Sequence, residues 1–207
     1  MEVKLRKPEE IYGPALEKAR QALATRDPLD VAGRSGATYE KSAGSLRLLF
    51  WGETYRIYPQ TGLVQVEGTA QEPGIPVQLL ILHYLLHADG TPMADKWISF
   101  WQLPGGRSYY PAFQKRASLP LARAFEREPQ KLIAAAKTLG GERLSFGDAS
   151  FLFRVLPRLW LALVFYQGDE EFPATANILF DGAASHYLPT EDLAVLGGIL
   201  AAKLRRG

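Results

Sequence analysis

The chain has 207 residues, 47% of them hydrophobic and 22% charged, with 24 basic against 22 acidic side chains and a net charge of +2. That length and composition support a sizeable buried core, and so even a charge balance gives no general pull toward nucleic acid or an anionic membrane. Cysteine is absent, which excludes disulfides, thiolate-held iron–sulfur clusters and thiol catalysis.

The opening MEVKLRKPEEIYG carries charges with no apolar stretch behind them, so no signal peptide is expected. The longest strongly apolar run, Val77 to Ala88, is too short for a bilayer and contains Gln78, His83 and His87. The expectation is a cytoplasmic protein with no membrane span.

Pro8, Glu9 and Glu10 suit the first turn of a helix. Ile11, Ala15, Leu16, Ala19 and Leu23 recur at helical spacing, which predicts an amphipathic helix over 8–25 with Lys18, Arg20 and Gln21 outward. Gly13-Pro14 offers a later start, and Asp27-Pro28 an end. Residues 29–67 read as an antiparallel meander. Leu46, Leu48 and Phe50 alternate with Arg47 and Leu49; Tyr55, Ile57 and Tyr58 form a second run and Leu63, Val64 and Val66 a third. Pro76 opens a helix over 76–88 that is apolar nearly all round, as a central helix would be. A short strand is expected at Trp97–Trp101. Short helices punctuated by Pro111, Pro120 and Pro129 follow over 107–139. Strands resume at 144–146, 151–156, 159–166 and 176–180, and LWLALVFY at 159–166 is continuously apolar, as a strand covered on both faces is. Pro189-Thr190-Glu191-Asp192 then starts a helix over 190–204, with Thr190 as N-cap.

Strands thus fall into two groups, about 45–67 and 144–180, instead of alternating with helices. The fold class expected is α+β with mostly antiparallel strands. A single domain over 1–207 is the default, and two lobes with a boundary near 90–140 the alternative. Residues 45–88 and 151–204 each run strand, strand, strand, loop, helix, with no matching residues.

ILHYLLHADG at 81–90, WISFWQLPGG at 97–106, GDEEFP at 168–173, ILFD at 178–181 and YLPTED at 187–192 occur in this order. Together they resemble the bacterial and archaeal family known as domain of unknown function 3786, from about the first strands to the last helix. The resemblance implies no activity. Some relatives carry an attached cysteine-rich iron–sulfur segment, an arrangement from which this cysteine-free chain departs.

The densest acidic run, Asp169-Glu170-Glu171, lies in a segment that also holds Asp181 and His186. Its carboxylates could hold a hard cation or do acid–base work; as a tip between Gly168 and Pro173 it could equally be only solvated. Asp181, at a strand end, is either catalytic or a cap on the loop Gly182-Ala183-Ala184. Glu191 and Asp192 are accounted for by the helix dipole. His83 and His87 share a helix face at four-residue spacing and could ligate one metal, with His186 or an acid from 169–171 as a third ligand. The intervening residues lack the glutamate of a zinc protease, and hydrogen bonds to helix carbonyls explain the pair as well. Leu103-Pro104-Gly105-Gly106-Arg107 could cradle an anion or be a plain turn; it is no P-loop. Trp97, Trp101 and Tyr109, with Phe100, Tyr110 and Phe113, could line a pocket for a flat ligand or build a core.

Three readings follow. The preferred one is a small-ligand or cofactor-binding protein with its pocket between 97–113 and 168–192, using Trp97, Trp101, Arg107, Tyr109, Asp169, Glu170, Glu171 and Asp181. The second is a metal-assisted enzyme built on His83, His87 and acids of 169–181. The third is an interaction subunit burying exposed aromatics on a protein partner. The ligand and cofactor stay unassigned, and nucleic acid is the weakest partner.

Overall fold

The structure is a computed structural model that describes residues 8–207, with side chains from Glu10 onward. The chain divides into two compact units. One runs to Thr91 and takes in His186–Leu188; the other comprises Pro92–Ser185 and Pro189–Gly207. Strands and helices are segregated in sequence and both sheets are antiparallel, so the fold is α+β. No helix among the described residues is long and apolar enough to cross a membrane.

The first unit begins with α1 (Pro8–Ala24). Pro14 lies inside it, so the helix does not wait for that residue. Leu16, Ala19 and Leu23 are buried, whereas Ile11 and Ala15 are exposed. Arg20, expected outward, turns in: its guanidinium donates to Glu72 Oε2 at 3.0 Å and to Gln78 Oε1 at 2.9 Å. Residues 29–35, expected to open the meander, belong instead to α2 (Pro28–Ser35). Asp27 accepts the Leu29 N–H as N-cap, Pro28 takes the first turn, and Gly36 closes the helix in the left-handed conformation.

Then come β1 (Thr38–Glu40), β2 (Ser45–Phe50), β3 (Glu53–Tyr58) and β4 (Leu63–Val66), paired in chain order. Leu46, Leu48, Phe50, Tyr55, Ile57 and Val64 make its buried face. On the other face Arg47 lies directly opposite Arg56, a like-charge pairing that would destabilise the hairpin. Glu40 and Glu67 each bridge both arginines, at 2.7–3.4 Å, and cancel it. The apolar α3 (Ile75–His87) packs on α1 and α2.

In the second unit the sheet order is β5 (Trp97–Ser99), β9 (Thr175–Asp181), β8 (Leu159–Tyr166), β7 (Ala149–Leu156), β6 (Glu142–Arg143). The strand expected at 144–146 sits two residues earlier, as β6. The strand expected at 97–101 stops at Ser99, and Phe100–Gln102 turns into a 3-10 helix. Central β8 is buried along nearly its whole length. Phe151, Phe153, Leu161, Leu163, Ile178 and Phe180 fall in register on one face. Helices α4 (Gly106–Phe113), α5 (Leu119–Phe125) and α6 (Pro129–Thr138) pack with α7 (Thr190–Arg206), and α5 also meets β9. Thr190 is the first residue of α7, not its N-cap, and its hydroxyl donates to the Pro104 carbonyl at 2.6 Å.

Gly62 has φ +65°, and a Cβ there would lie 2.5–2.6 Å from Arg20 Cγ, Cα and Cβ. Gly62→Ala should therefore lose about 2–4 kcal/mol to backbone strain and overpacking. Gly33→Ala, on α2 with nothing within 4 Å of the new methyl, should be neutral or gain up to about 1 kcal/mol. Urea unfolding of both variants checks this, and equal stabilities would contradict it.

Candidate functional site

The two glycines at 105–106 differ in role. Gly105 takes φ +71° at the N-cap of α4, and a Cβ on Gly106 would stand 2.0 Å from the Phe100 carbonyl oxygen. The chain can thus fold back against the 3-10 turn before entering α4. Ser99 braces that turn, its N–H and hydroxyl both donating to Gln102 Oε1 at 2.9 and 3.1 Å. The result is an open groove lined by Ser99, Trp101, Gln102, Leu103, Gly105, Arg107 and Ser108.

Trp101 is 45% exposed beside it. The Arg107 guanidinium lies over its ring, 5.4 Å from the centroid, and Tyr110 meets it edge-on at 5.4 Å. Stacking of this kind holds a planar cation flat against an aromatic face. Among the described residues, no acid lines the groove.

Of the residues expected to form a pocket, only Trp101 and Arg107 line this groove. Trp97 is half-buried on β5, opposite Asp181 in register. Tyr109 donates its hydroxyl to Glu191, which raises the phenol and lowers the carboxyl from their ordinary values. Glu191 therefore has a partner besides the helix dipole. The serines at 99 and 108 and Gln102 escaped the sequence reading, although the S-x-x-Q spacing at 99–102 is a capping signature.

Asp181 is buried. Its Oδ1 accepts the N–H groups of Ala94 and Ala183, each at 2.9 Å, while Oδ2 is buried without a hydrogen-bond partner. With the Gly182 N–H donating to the Lys96 carbonyl at 2.8 Å, this carboxylate caps its loop and fixes the approach to β5. Asp169 also acts locally. Oδ1 accepts the N–H groups of Phe172 at 2.7 Å and Glu171 at 2.9 Å, and these bonds, Phe172's foremost, lower its pKa. Glu170 and Glu171 stand exposed beside it.

His83 and His87 lie edge-to-face, ring centroids 6.2 Å apart. His186 is elsewhere engaged, its Nδ1–H donating to Asp89 Oδ2 at 2.7 Å with Thr91 Oγ1 3.2 Å from the same nitrogen. A carboxylate behind a histidine is common at metal centres. Among the described residues, however, no three His, Cys, Asp or Glu side chains are grouped to hold a metal ion.

Hydrogen bonds from the Thr91 side chain, His186 and the Thr91 N–H hold the Asp89 carboxyl down at about 2. An unfolded aspartate titrates near 3.9. The stability Asp89 contributes is therefore complete above about pH 4 and lost as the pH falls toward about 2. Asp89→Asn should flatten that part of the acid-unfolding curve; a variant curve that overlays the parent would contradict it.

Comparison with curated proteins and with solved structures returns no match. The family described as Domain of unknown function (DUF3786) matches residues 27–203, a span that includes both sheets, the groove and most of α7, and the chain belongs to it.

Proposed function

We propose that the chain is a small-ligand-binding protein whose site is the groove at residues 99–108, and that its ligand is flat and negatively charged. The observation that carries this reading is the half-exposed Trp101 with Arg107 over its ring, in a concave surface with no acid among the described residues that line it. A planar anion would stack on the indole or the guanidinium and place its charge against Arg107. Ser99, Gln102 and Ser108 would supply hydrogen bonds to fix its orientation. This departs from a pocket with an acidic wall, since Asp169, Glu170, Glu171 and Asp181 are not among the lining residues.

Thermal shift and calorimetry with aromatic carboxylates, mononucleotides and flavin mononucleotide test it. A ligand from this panel should raise the melting temperature, and Trp101→Ala should weaken its binding about 5-fold or more, since stacking on an aromatic ring is worth about 1–3 kcal/mol. Arg107→Lys should fail to restore the affinity lost in Arg107→Ala, because lysine cannot stack as a plane. A panel without a shift at millimolar concentration, or a binder indifferent to Trp101→Ala, would dispose of the reading.

A further inference from the structure

One end of the second unit's sheet displays three aromatic side chains to solvent. Phe146 precedes β7, Tyr166 ends β8, and Phe172 lies in the loop to β9; they are 47%, 47% and 67% exposed. The register places these positions together, since Ala149 pairs with Phe165 and Tyr166 with Thr175. Single exposed apolar residues are ordinary; here three stand on adjoining turns of one sheet end.

The turns that carry them are internally fixed. Asp148 donates its N–H to the Phe165 carbonyl at 3.0 Å and accepts the Gln167 N–H on Oδ2 at 2.7 Å. Gly147, at φ +53°, lies so close beneath Tyr166 that a Cβ would reach 3.2 Å from its ring. In the next loop Asp169 accepts two backbone N–H groups, and its own N–H donates to the Phe172 carbonyl at 2.9 Å. Phe172 is thus held outward by backbone bonds in a defined turn, an arrangement that lowers the ordering cost of binding.

Acids outnumber cations on these turns, with Asp148, Asp169, Glu170 and Glu171 against Arg143. Glu170 and Glu171 are exposed, and no ion pair to either is present among the described residues. The nearby cation, Arg143, donates to the Asp148 carbonyl at 3.1 Å and lies over the Phe151 ring.

We propose that this tip docks a basic segment of a protein partner, one that presents an apolar side chain between lysines or arginines. The aromatic rings take the apolar anchor, and Glu170 and Glu171 select for flanking positive charge.

The test uses the full chain and two fluorescent twelve-residue peptides, one alternating leucine with lysine and arginine, the other leucine with glutamate. Anisotropy should show binding of the basic peptide alone. Phe172→Ser should weaken it about 10-fold or more, as loss of a central aromatic anchor does. The double variant Glu170→Gln, Glu171→Gln should weaken it less and flatten its salt dependence. Leu49→Ser, an exposed leucine in the first unit, should change nothing. Amide shifts in the NMR spectrum should concentrate at 146–148 and 166–172. Should Phe172→Ser fail to fold, Phe146→Ser serves in its place. Equal binding of both peptides, binding unaffected by the aromatic variants, shifts confined elsewhere, or no binding at millimolar peptide would overturn the proposal. A concentration-dependent dimer in sedimentation that Phe172→Ser abolishes would also overturn it, by placing a second copy on the tip.

Discussion

Three phenylalanines carry the groove. Phe100 and Phe113 stack 4.2 Å apart and nearly parallel, and Phe180 meets them at 5.9 and 6.0 Å. All three are buried. They come from the 3-10 turn, the end of α4 and β9, so one contact ties two neighbouring segments to a strand 67 residues further along the chain. Replacing a buried phenylalanine by alanine costs about 3–5 kcal/mol, a large part of the stability of an ordinary domain. Two glycines make the contact possible. Gly106 lets the backbone pass the Phe100 carbonyl, and Gly197 leaves room on α7 for the Phe113 ring, whose Cε2 would lie 2.5 Å from a Cβ there. Trp101 and Arg107 are each next to a member of this framework, and the groove inherits its rigidity from the core behind it.

How much of this could be read beforehand depended on the range of the cause. The strands of the first sheet follow from alternation, and β8 from its unbroken apolar run, because each pattern reports the burial of its own segment. The same holds for α3. The helix α2 is not legible in the sequence because only Val31 and Ser35 are buried on it, too few to make a period, and because Asp27-Pro28 serves as well to stop one helix as to start the next. Thr190 misleads for a similar reason: the residue type suits a cap, but its hydroxyl bonds the Pro104 carbonyl.

Pairings across long sequence distances lay beyond the sequence altogether. Nothing near Asp89 announces His186, and nothing near Glu191 announces Tyr109. Arg20 is the instructive case. Its place on α1 made it an outward charge, but Glu72 and Gln78 offer its guanidinium three-dimensional partners and Gly62 offers its stem space. The acidic run at 169–171 was legible as a tip and illegible in its division of labour. One carboxylate builds the turn, and two remain for solvent or a partner.

The exposed aromatics then separate into two kinds. Trp101 is covered by Arg107 and Tyr110, and Tyr109 is tied through its hydroxyl to Glu191. Both rings are held by other side chains, and for Trp101, which lines the groove, such bracing keeps its orientation. Phe172 is positioned instead by its own backbone, which holds the turn while the ring projects into water. A ring so displayed suits a surface that meets another surface, where apolar area at the centre and charge at the rim divide affinity from selectivity. The second unit therefore presents two chemically opposite faces, one basic and concave, the other acidic and projecting. A single ligand class would not suit both.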